Sequence, residues 1–307
     1  MQISTSYLFD SAISQMSTVQ TDLAHTQAQV SSSKQVLNPS DAPDQAADIQ
    51  RLKSVLAKQS SYTTTLNSVQ TRLTGEDTSL QSMTDLLVRA KEIAVQAANG
   101  TLSTDDRAAL GVELKGLRDQ MLSLANATDA NGNYYFSGSR LKQPPYAQNS
   151  TGQVSYQGDE SRMQVQVGDQ RSVPLNRPGT QAFVGATRTD SKGQTSHREF
   201  FGVIDDLIAG INSSDTNAIQ RGMGEVDTLS SGVNLAQANV GTDMNVVDQQ
   251  GQVIDATTLT LKTTLSNVED LDMASAITKM NKQMLSLEAS QSSFAKISQL
   301  NLFNFIK

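Results

Sequence analysis

The sequence of 307 residues predicts a mainly α-helical protein: a long coiled-coil hairpin or bundle with a small inserted β-rich domain and paired terminal helices. Only 37% of the residues are hydrophobic and tryptophan is absent, which suits helices that bury one stripe better than a compact globule. Apolar residues recur at alternating steps of three and four over long stretches, the period of a coiled coil. Glycine is absent before Gly75 and after Gly251, so both ends of the chain favour helix.

The two terminal segments, 1–36 and 273–307, both carry this period and contain neither glycine nor proline. Serine, threonine, glutamine and alanine interrupt each apolar line, so either helix alone buries too little surface to offset the entropy of ordering it. We therefore expect both segments to be largely disordered in the free monomer and to form core only on assembly. The predicted assembly seam is Phe9, Met16, Val19, Leu23, Val30, Ile277, Met280, Met284, Leu287 and Phe294.

A break follows the first helix at the sequence Pro-Ser-Asp-Ala-Pro, residues 39–43. Proline lacks a backbone donor and restricts the residue before it, which predicts a joint between two helices. The predicted joint residues are Pro39, Ser40, Asp41 and Pro43. Ser40 or Asp41 is expected to cap the second helix. A third helix is expected to begin at a Ser103 cap and to end at 131–133.

The middle of the chain, residues 134–202, holds eight of the fourteen phenylalanines and tyrosines and four of the six prolines. Polar and apolar residues alternate at 153–156 and 163–167, the period of half-buried strands. Helical spacing then returns and changes phase between Leu271 and Ile277, which predicts a second joint. The predicted domains are a terminal assembly domain (1–42 with 273–307), a helical bundle (43–133 with 203–272) and an outer β-rich domain (134–202).

The composition argues against several classes of protein. The chain has no cysteine, so disulfides and thiolate chemistry are excluded, and its net charge of −7 disfavours nucleic-acid binding. No stretch resembles a membrane span or a secretory signal peptide, so we expect a chain that stays in the cytoplasm or leaves by another route. His25 and His197 lie far apart and no nucleotide-binding or nucleophile motif is present. We expect no enzymatic activity, no cofactor and no metal, and we expect the acidic pairs at 105–106, 205–206 and 269–270 at helix starts or in solvent.

Four segments of the sequence resemble a known family. The proline-flanked break at 39–43, preceded by Lys-Gln-Val, is similar to that of the flagellar hook-associated protein 3 family, flagellin-like proteins of the hook–filament junction. The other similar segments are 134–146, 265–272 and 300–306. The chain departs from the family pattern at Gln35, where arginine is common, and at Ala42, where a second aspartate is frequent. Flagellin resembles both ends of the chain, but its joint usually lacks this proline-flanked form.

The resemblance implies a structural adaptor of the bacterial flagellum, exported unfolded through the flagellar type III apparatus and assembled outside the cell by its terminal helices. Its implied partners are copies of itself in a ring-like layer, the neighbouring hook-associated protein, flagellin, and an export chaperone. The candidate chaperone-binding residues are Met280, Met284, Leu287, Phe294 and Leu300. Three alternatives remain open: a filament-forming flagellin, a soluble coiled-coil scaffold or effector of a secretion system, and a carbohydrate or surface-ligand binder acting through the β-rich domain.

Overall fold

The computed structural model describes residues 2–189 and 194–303, with side chains for residues 7, 9–189 and 194–296. Within these residues the chain is mainly helical, so the predicted fold class is confirmed. The helices are α1 (Gln2–Ser32), α2 (Pro43–Ala97), α3 (Thr104–Ala125), α4 (Gly179–Ala182), α5 (Phe200–Asn212), α6 (Thr216–Glu269) and α7 (Met273–Phe303). The strands are β1 (Tyr146–Gln148), β2 (Val154–Tyr156), β3 (Gln164–Gln166), β4 (Ser172–Pro174), β5 (Ala186–Thr189) and β6 (Thr195–Arg198).

The chain forms two compact units, which we call the terminal unit (1–59 with 256–307) and the central unit (60–255). The β-rich segment predicted at 134–202 lies in the central unit, where its side chains share one hydrophobic core with the helices. The division of the chain into three domains, which the sequence predicts, stays a prediction.

The core of the central unit is sealed from solvent. Leu80, Leu87 and Leu114 are fully buried, as the coiled-coil spacing of α2 and α3 requires. Aromatic rings extend this core into the β-rich segment: the rings of Phe183 and Phe200 lie 5.4 Å apart in an edge-on arrangement. Such packing adds directional attraction to the burial of the rings.

Side-chain hydrogen bonds mark the points at which α3 begins and ends. Ser103 and Asp106 form a reciprocal capping box at its start, which confirms the predicted cap. The helix ends at Ala125, earlier than the predicted 131–133. The side chain of Asn126 accepts a hydrogen bond from the Tyr146 backbone N–H at 2.9 Å and donates one to the Tyr146 carbonyl at 2.9 Å. Because this amide pairs with strand β1, the chain leaves the helix there.

Three antiparallel two-stranded sheets make up the β structure of the described residues: β1–β2, β3–β4 and β5–β6. Strands β2 and β3 lie inside the segments whose alternation predicted them, whereas β5 and β6 were not predicted. All four residues of β6 are exposed, so that strand lacks the apolar alternation on which the prediction depends.

Two arginines reach in opposite directions between the helices and the β-rich segment. Arg72 of α2 donates hydrogen bonds to the backbone carbonyls of Tyr134 (2.6 Å) and Leu175 (2.8 Å) and pairs with Asp129 at 2.9 Å.

Arg177, which follows β4, pairs with Glu76 of α2 and with Asp243 of α6, each at 2.9 Å. Both guanidinium groups are buried, so these contacts attach the segment firmly to the bundle.

The other two hairpins are attached in the same way. Arg118 of α3 donates to the carbonyl of Gly152 in the β1–β2 turn (2.7 Å) and pairs with Asp205 of α5 (2.9 Å). Arg188 of β5 binds both Asp206 of α5 and Glu225 of α6 at 2.5 Å. The prediction that residues 205–206 lie at a helix start or in solvent is therefore wrong, because arginines distant in sequence hold both carboxylates.

Candidate assembly site in the terminal helices

The candidate site is the pair of helices α1 and α7 in the terminal unit. On α1 a single line of side chains is removed from solvent, and it coincides with the predicted seam: Phe9, Met16, Val19, Leu23 and Val30 are half-buried and Thr26 is buried. At one end of the pair the Phe9 ring meets the Phe294 ring of α7 edge-on, with centroids 5.4 Å apart. The two helices therefore run antiparallel and pair within one chain.

On α7 the buried line differs from the predicted one. Met280, Leu287 and Phe294 belong to both lines and are half-buried. The other inward residues of α7 are Ala276, Gln283 and Ser290, whereas Ile277 and Met284 remain 41% and 47% exposed. Small side chains at positions such as Ala276, which is 6% exposed, permit close approach of the partner helix. Ile277 and Met284 therefore take little part in the contact within one chain, and their place in the assembly seam stays a prediction.

This helix pair buries its interior incompletely. Nearly all inward side chains of α1 and α7 are only half-buried, and the Oε1 atom of Gln283 is buried without a hydrogen-bond partner among the described residues. A buried acceptor without a donor is destabilising. The pair is consequently marginal by itself, which agrees with the weak apolar lines of its sequence.

The candidate chaperone-binding residues divide between two environments. Met280, Leu287 and Phe294 contribute to the half-buried line, and Met284 is exposed. Leu300 lies in α7, but its side chain is outside the described residues.

The predicted joint is built by backbone pairing of the two helix breaks. Lys34 and Asp270 form an antiparallel bridge, in which the N–H of Gln35 donates to the carbonyl of Glu269 at 2.8 Å. The N–H of Leu271 donates to the carbonyl of Ser33 at 3.1 Å. The break after α1 and the break after α6 thus lie side by side in the terminal unit, as the phase change of the sequence predicts.

Asp41 organises the proline-flanked break. Its Oδ2 accepts hydrogen bonds from the backbone N–H groups of Asn38 (2.8 Å) and Leu37 (3.2 Å) and lies 3.4 Å from Nε2 of His25. The Asn38 hydrogen bond is the main cause that lowers the pKa of the Asp41 carboxyl. The predicted cap by Ser40 or Asp41 is wrong, because the Asp41 carboxylate turns back to the preceding loop.

Helix α2 begins instead with the residues that follow Asp41. Pro43 occupies the first helical position, where its missing N–H costs nothing, and the Ala42 carbonyl accepts the first helical hydrogen bond from Ala46 at 2.8 Å. Pro39 and Ser40, the other predicted joint residues, are exposed in the turn.

A buried carboxylate fastens the joint. Oε1 of Glu269 lies 2.7 Å from Nζ of Lys34 and 2.8 Å from Nζ of Lys53, and the Glu269 side chain is 9% exposed. Burial pushes the pKa of Glu269 upward, but the hydrogen bonds from the two lysines outweigh it and hold the pKa below its usual value. Sequence reasoning placed Glu269 at a helix start or in solvent, which is wrong.

The described residues hold no group of three or more histidine, cysteine or carboxylate side chains that would bind a metal ion. Among the same residues, no helix combines the length and the hydropathy needed to cross a bilayer. His197 lies on the exposed strand β6, far in sequence from His25 at the joint.

The two ends of the chain match models of the bacterial flagellin N-terminal helical region (residues 3–140) and C-terminal helical region (residues 223–306). Together with the paired terminal helices, these matches define a flagellin-like protein. The chain is 29% identical to flagellar hook-associated protein 3 of Salmonella typhimurium over 99% of each protein. It is 23% identical to a flagellin of Listeria innocua over 73% of this chain and 69% of that one. The chain belongs to the flagellar hook-associated protein 3 family.

The chain also shares its fold with a solved structure. The crystal structure of FlgL from Xanthomonas campestris superposes with a TM-score of 0.64 at 24% identity, covering 70% of this chain and 99% of that one. The relatives are structural components of the flagellum, and this chain is likewise a flagellar protein.

Proposed function

We infer that this chain is the structural adaptor that joins the flagellar hook to the flagellar filament. The observation that carries this conclusion is the match to hook-associated protein 3, which is 29% identical over 99% of both proteins, whereas the flagellins of Listeria innocua and Treponema pallidum are 23% and 24% identical over 73% and 92% of this chain. An adaptor must present one surface to the hook and another to the filament, and it needs no catalytic group.

Assembly is proposed to proceed through the terminal unit. The support is the incomplete burial of α1 and α7, since half-buried apolar residues gain free energy when further helices cover them. The proposed partners are copies of this chain in a ring-like layer, the neighbouring hook-associated protein on the hook side, and flagellin on the filament side.

Export is proposed to take place through the flagellar type III apparatus, with the chain unfolded. Serine, threonine and glutamine occupy 18 of the first 36 positions, a composition that stays soluble without structure. The proposed location is therefore the outside of the cell, at the flagellum.

Deletion of the gene tests the adaptor function. We expect hooks without attached filaments and flagellin released into the medium, with restoration by the intact gene. Normal filaments in the deletion strain would contradict the proposal. Complete loss of flagellin expression would also contradict it, and long filaments polymerised from the purified chain alone would identify a flagellin instead.

A flagellar export chaperone is proposed to bind α7 before export. The support is a methionine-containing apolar surface on a helix that its partner covers only partly. A chain truncated after Leu271 should lose chaperone binding, while its central unit keeps its near-ultraviolet tyrosine signal. Unchanged chaperone affinity of the truncated chain would exclude α7 as the binding segment.

A further inference from the structure

The exposed turn between α2 and α3 contains an asparagine followed by a glycine, Asn99-Gly100. An asparagine side chain loses ammonia when the backbone nitrogen of the next residue attacks its amide carbon. A glycine in that next position leaves the approach open, because it has no Cβ. The sequence contains one other such pair, Asn131-Gly132, so the local fold decides which of the two reacts.

Two donors from Thr101 polarise the side-chain amide of Asn99. Its Oδ1 accepts hydrogen bonds from the backbone N–H of Thr101 at 3.1 Å and from the Thr101 hydroxyl at 3.0 Å. Attack on the amide carbon turns this oxygen into an oxyanion, and donors that already point at it stabilise the developing charge. The same two contacts hold the amide alongside the backbone of Gly100, which carries the attacking nitrogen.

The backbone nitrogen of Gly100 is available for this attack. The hydrogen bond that closes the turn runs from the N–H of Leu102 to the carbonyl of Asn99 at 3.3 Å, so the turn does not use the Gly100 N–H. Among the residues that the structure describes, no hydrogen bond engages that N–H. It can therefore give its proton to hydroxide without the loss of a contact inside the protein.

At Asn131-Gly132 the nitrogen is held instead. The N–H of Gly132 donates to the carbonyl of Asp129 at 2.9 Å, and the N–H of Asn131 donates to Oδ1 of Asp129 at 2.8 Å. The Gly132 nitrogen must give up a hydrogen bond before it can attack, which adds to the barrier.

A third asparagine separates the effect of the donors from the effect of the glycine. Oδ1 of Asn149 accepts hydrogen bonds from the backbone N–H (3.0 Å) and the hydroxyl (2.7 Å) of Thr151, as Asn99 does from Thr101. The residue after Asn149 is Ser150, whose side chain hinders the approach of its nitrogen. Asn99 thus combines the polarised amide, the glycine and the available nitrogen.

From these contacts we propose that Asn99 is a site of self-catalysed deamidation, with water as the co-reactant, and that Thr101 assists the reaction. Hydroxide takes the proton of the Gly100 N–H, and the nitrogen attacks Cγ of Asn99. The new C–N bond closes a succinimide, and the bond from Cγ to Nδ2 breaks as ammonia leaves with a proton from water. Water then opens the succinimide at either carbonyl and leaves aspartate or isoaspartate, without any oxidation or reduction.

Incubation of the full-length chain at mildly alkaline pH, followed by peptide mass spectrometry, tests the proposal. Trypsin releases Asn99 in the peptide 92–107, which contains no other asparagine. We expect Asn99 to convert before Asn131 and Asn149, at a rate that rises with pH. In guanidinium chloride the two Asn-Gly sites should react at similar rates, because the hydrogen bonds of the fold are gone. A folded chain in which Asn131 converts as fast as Asn99, or in which Asn99 does not convert, would overturn the proposal.

Two variants test the roles of the neighbouring residues. Gly100→Ala should suppress conversion of Asn99 and leave the melting temperature unchanged, because a Cβ at Gly100 meets nothing within 4 Å. Thr101→Val keeps the shape of the side chain and removes one donor, so it should slow conversion in the folded chain about 2- to 10-fold, the rate factor of one net hydrogen bond. Undiminished conversion in Gly100→Ala would exclude attack by the Gly100 nitrogen, and an unchanged rate in Thr101→Val would exclude the assistance by Thr101.

Discussion

Replacement of Arg177 by methionine should destabilise the central unit severely. The guanidinium pairs with Glu76 and Asp243 at 2.9 Å each, and the side chains of Arg177 and Glu76 are 4% and 2% exposed. Methionine fills a similar space but leaves the Glu76 carboxylate buried without its partner. Breaking a buried pair in this way costs about 3–5 kcal/mol of unfolding free energy. For a unit of this size the melting temperature should fall by roughly 6–20 °C.

The loss of unfolding free energy in the Arg177→Met variant should depend on pH. Burial already raises the pKa of Glu76 although Arg177 opposes it, so removal of Arg177 should raise that pKa further. A carboxyl whose pKa is higher in the folded chain stabilises the fold below its unfolded pKa, and this contribution is lost as pH rises through the folded pKa. The variant should therefore be less impaired at about pH 5 than at about pH 8. Adding Glu76→Gln should remove this dependence.

Urea unfolding followed by tyrosine fluorescence measures the effect, since five of the six tyrosines lie in the central unit and tryptophan is absent. The control is Arg89→Met, which removes ion pairs to Glu92 and Glu113 from a side chain that is 43% exposed. It should cost at most about 1 kcal/mol. Equal losses in the Arg177 and Arg89 variants would refute the claim that burial sets the magnitude.

Three further substitutions test other contacts. Gly75→Ala should lower the unfolding free energy of the central unit by about 1–3 kcal/mol in urea titrations, because a Cβ would overlap the Tyr135 hydroxyl; an unchanged midpoint would contradict this packing. Glu269→Gln should flatten the acid side of the stability profile of the terminal unit, because a carboxyl with a lowered pKa loses its contribution as pH falls through that pKa; an unaltered acid limb in circular dichroism would exclude the role. Leu287→Asp should accelerate amide exchange in α1 and α7 of the monomer more than Met284→Asp does, and the reverse order would contradict the assignment of inner and outer lines.

The comparison of α1 with α7 shows how far coiled-coil spacing predicts a seam. In α1 the apolar residues form one line, and the structure turns that line inward. In α7 two lines share Met280, Leu287 and Phe294, and hydrophobicity favours the one that contains Ile277 and Met284. The structure turns the other line inward, the one that contains Ala276. Spacing gives the period of a helix, but the choice between adjacent faces depends on the shape of the partner, which one sequence does not contain.

Polar contacts were predicted where they are local and missed where they are distant. The capping box of Ser103 and Asp106 spans three residues, so the sequence shows it directly. Arg177 and Glu76 lie 101 positions apart, and no spacing rule connects them. Asp41 is an intermediate case. The sequence places it just before a helix, but does not show that its carboxylate accepts hydrogen bonds from the backbone N–H groups of Leu37 and Asn38.

The terminal and central units differ in how completely they exclude solvent, and this difference bears on assembly. In the central unit Leu80, Leu87 and Leu114 are inaccessible, so opening that core exposes whole apolar side chains. In the terminal pair, the buried inward residues are the small Thr26 and Ala276, and the larger ones are half-exposed already. Separating α1 from α7 therefore exposes less apolar surface per residue and needs less free energy. The helices that are proposed to mediate assembly are thus held together by a contact that costs less free energy to rearrange than the core of the central unit.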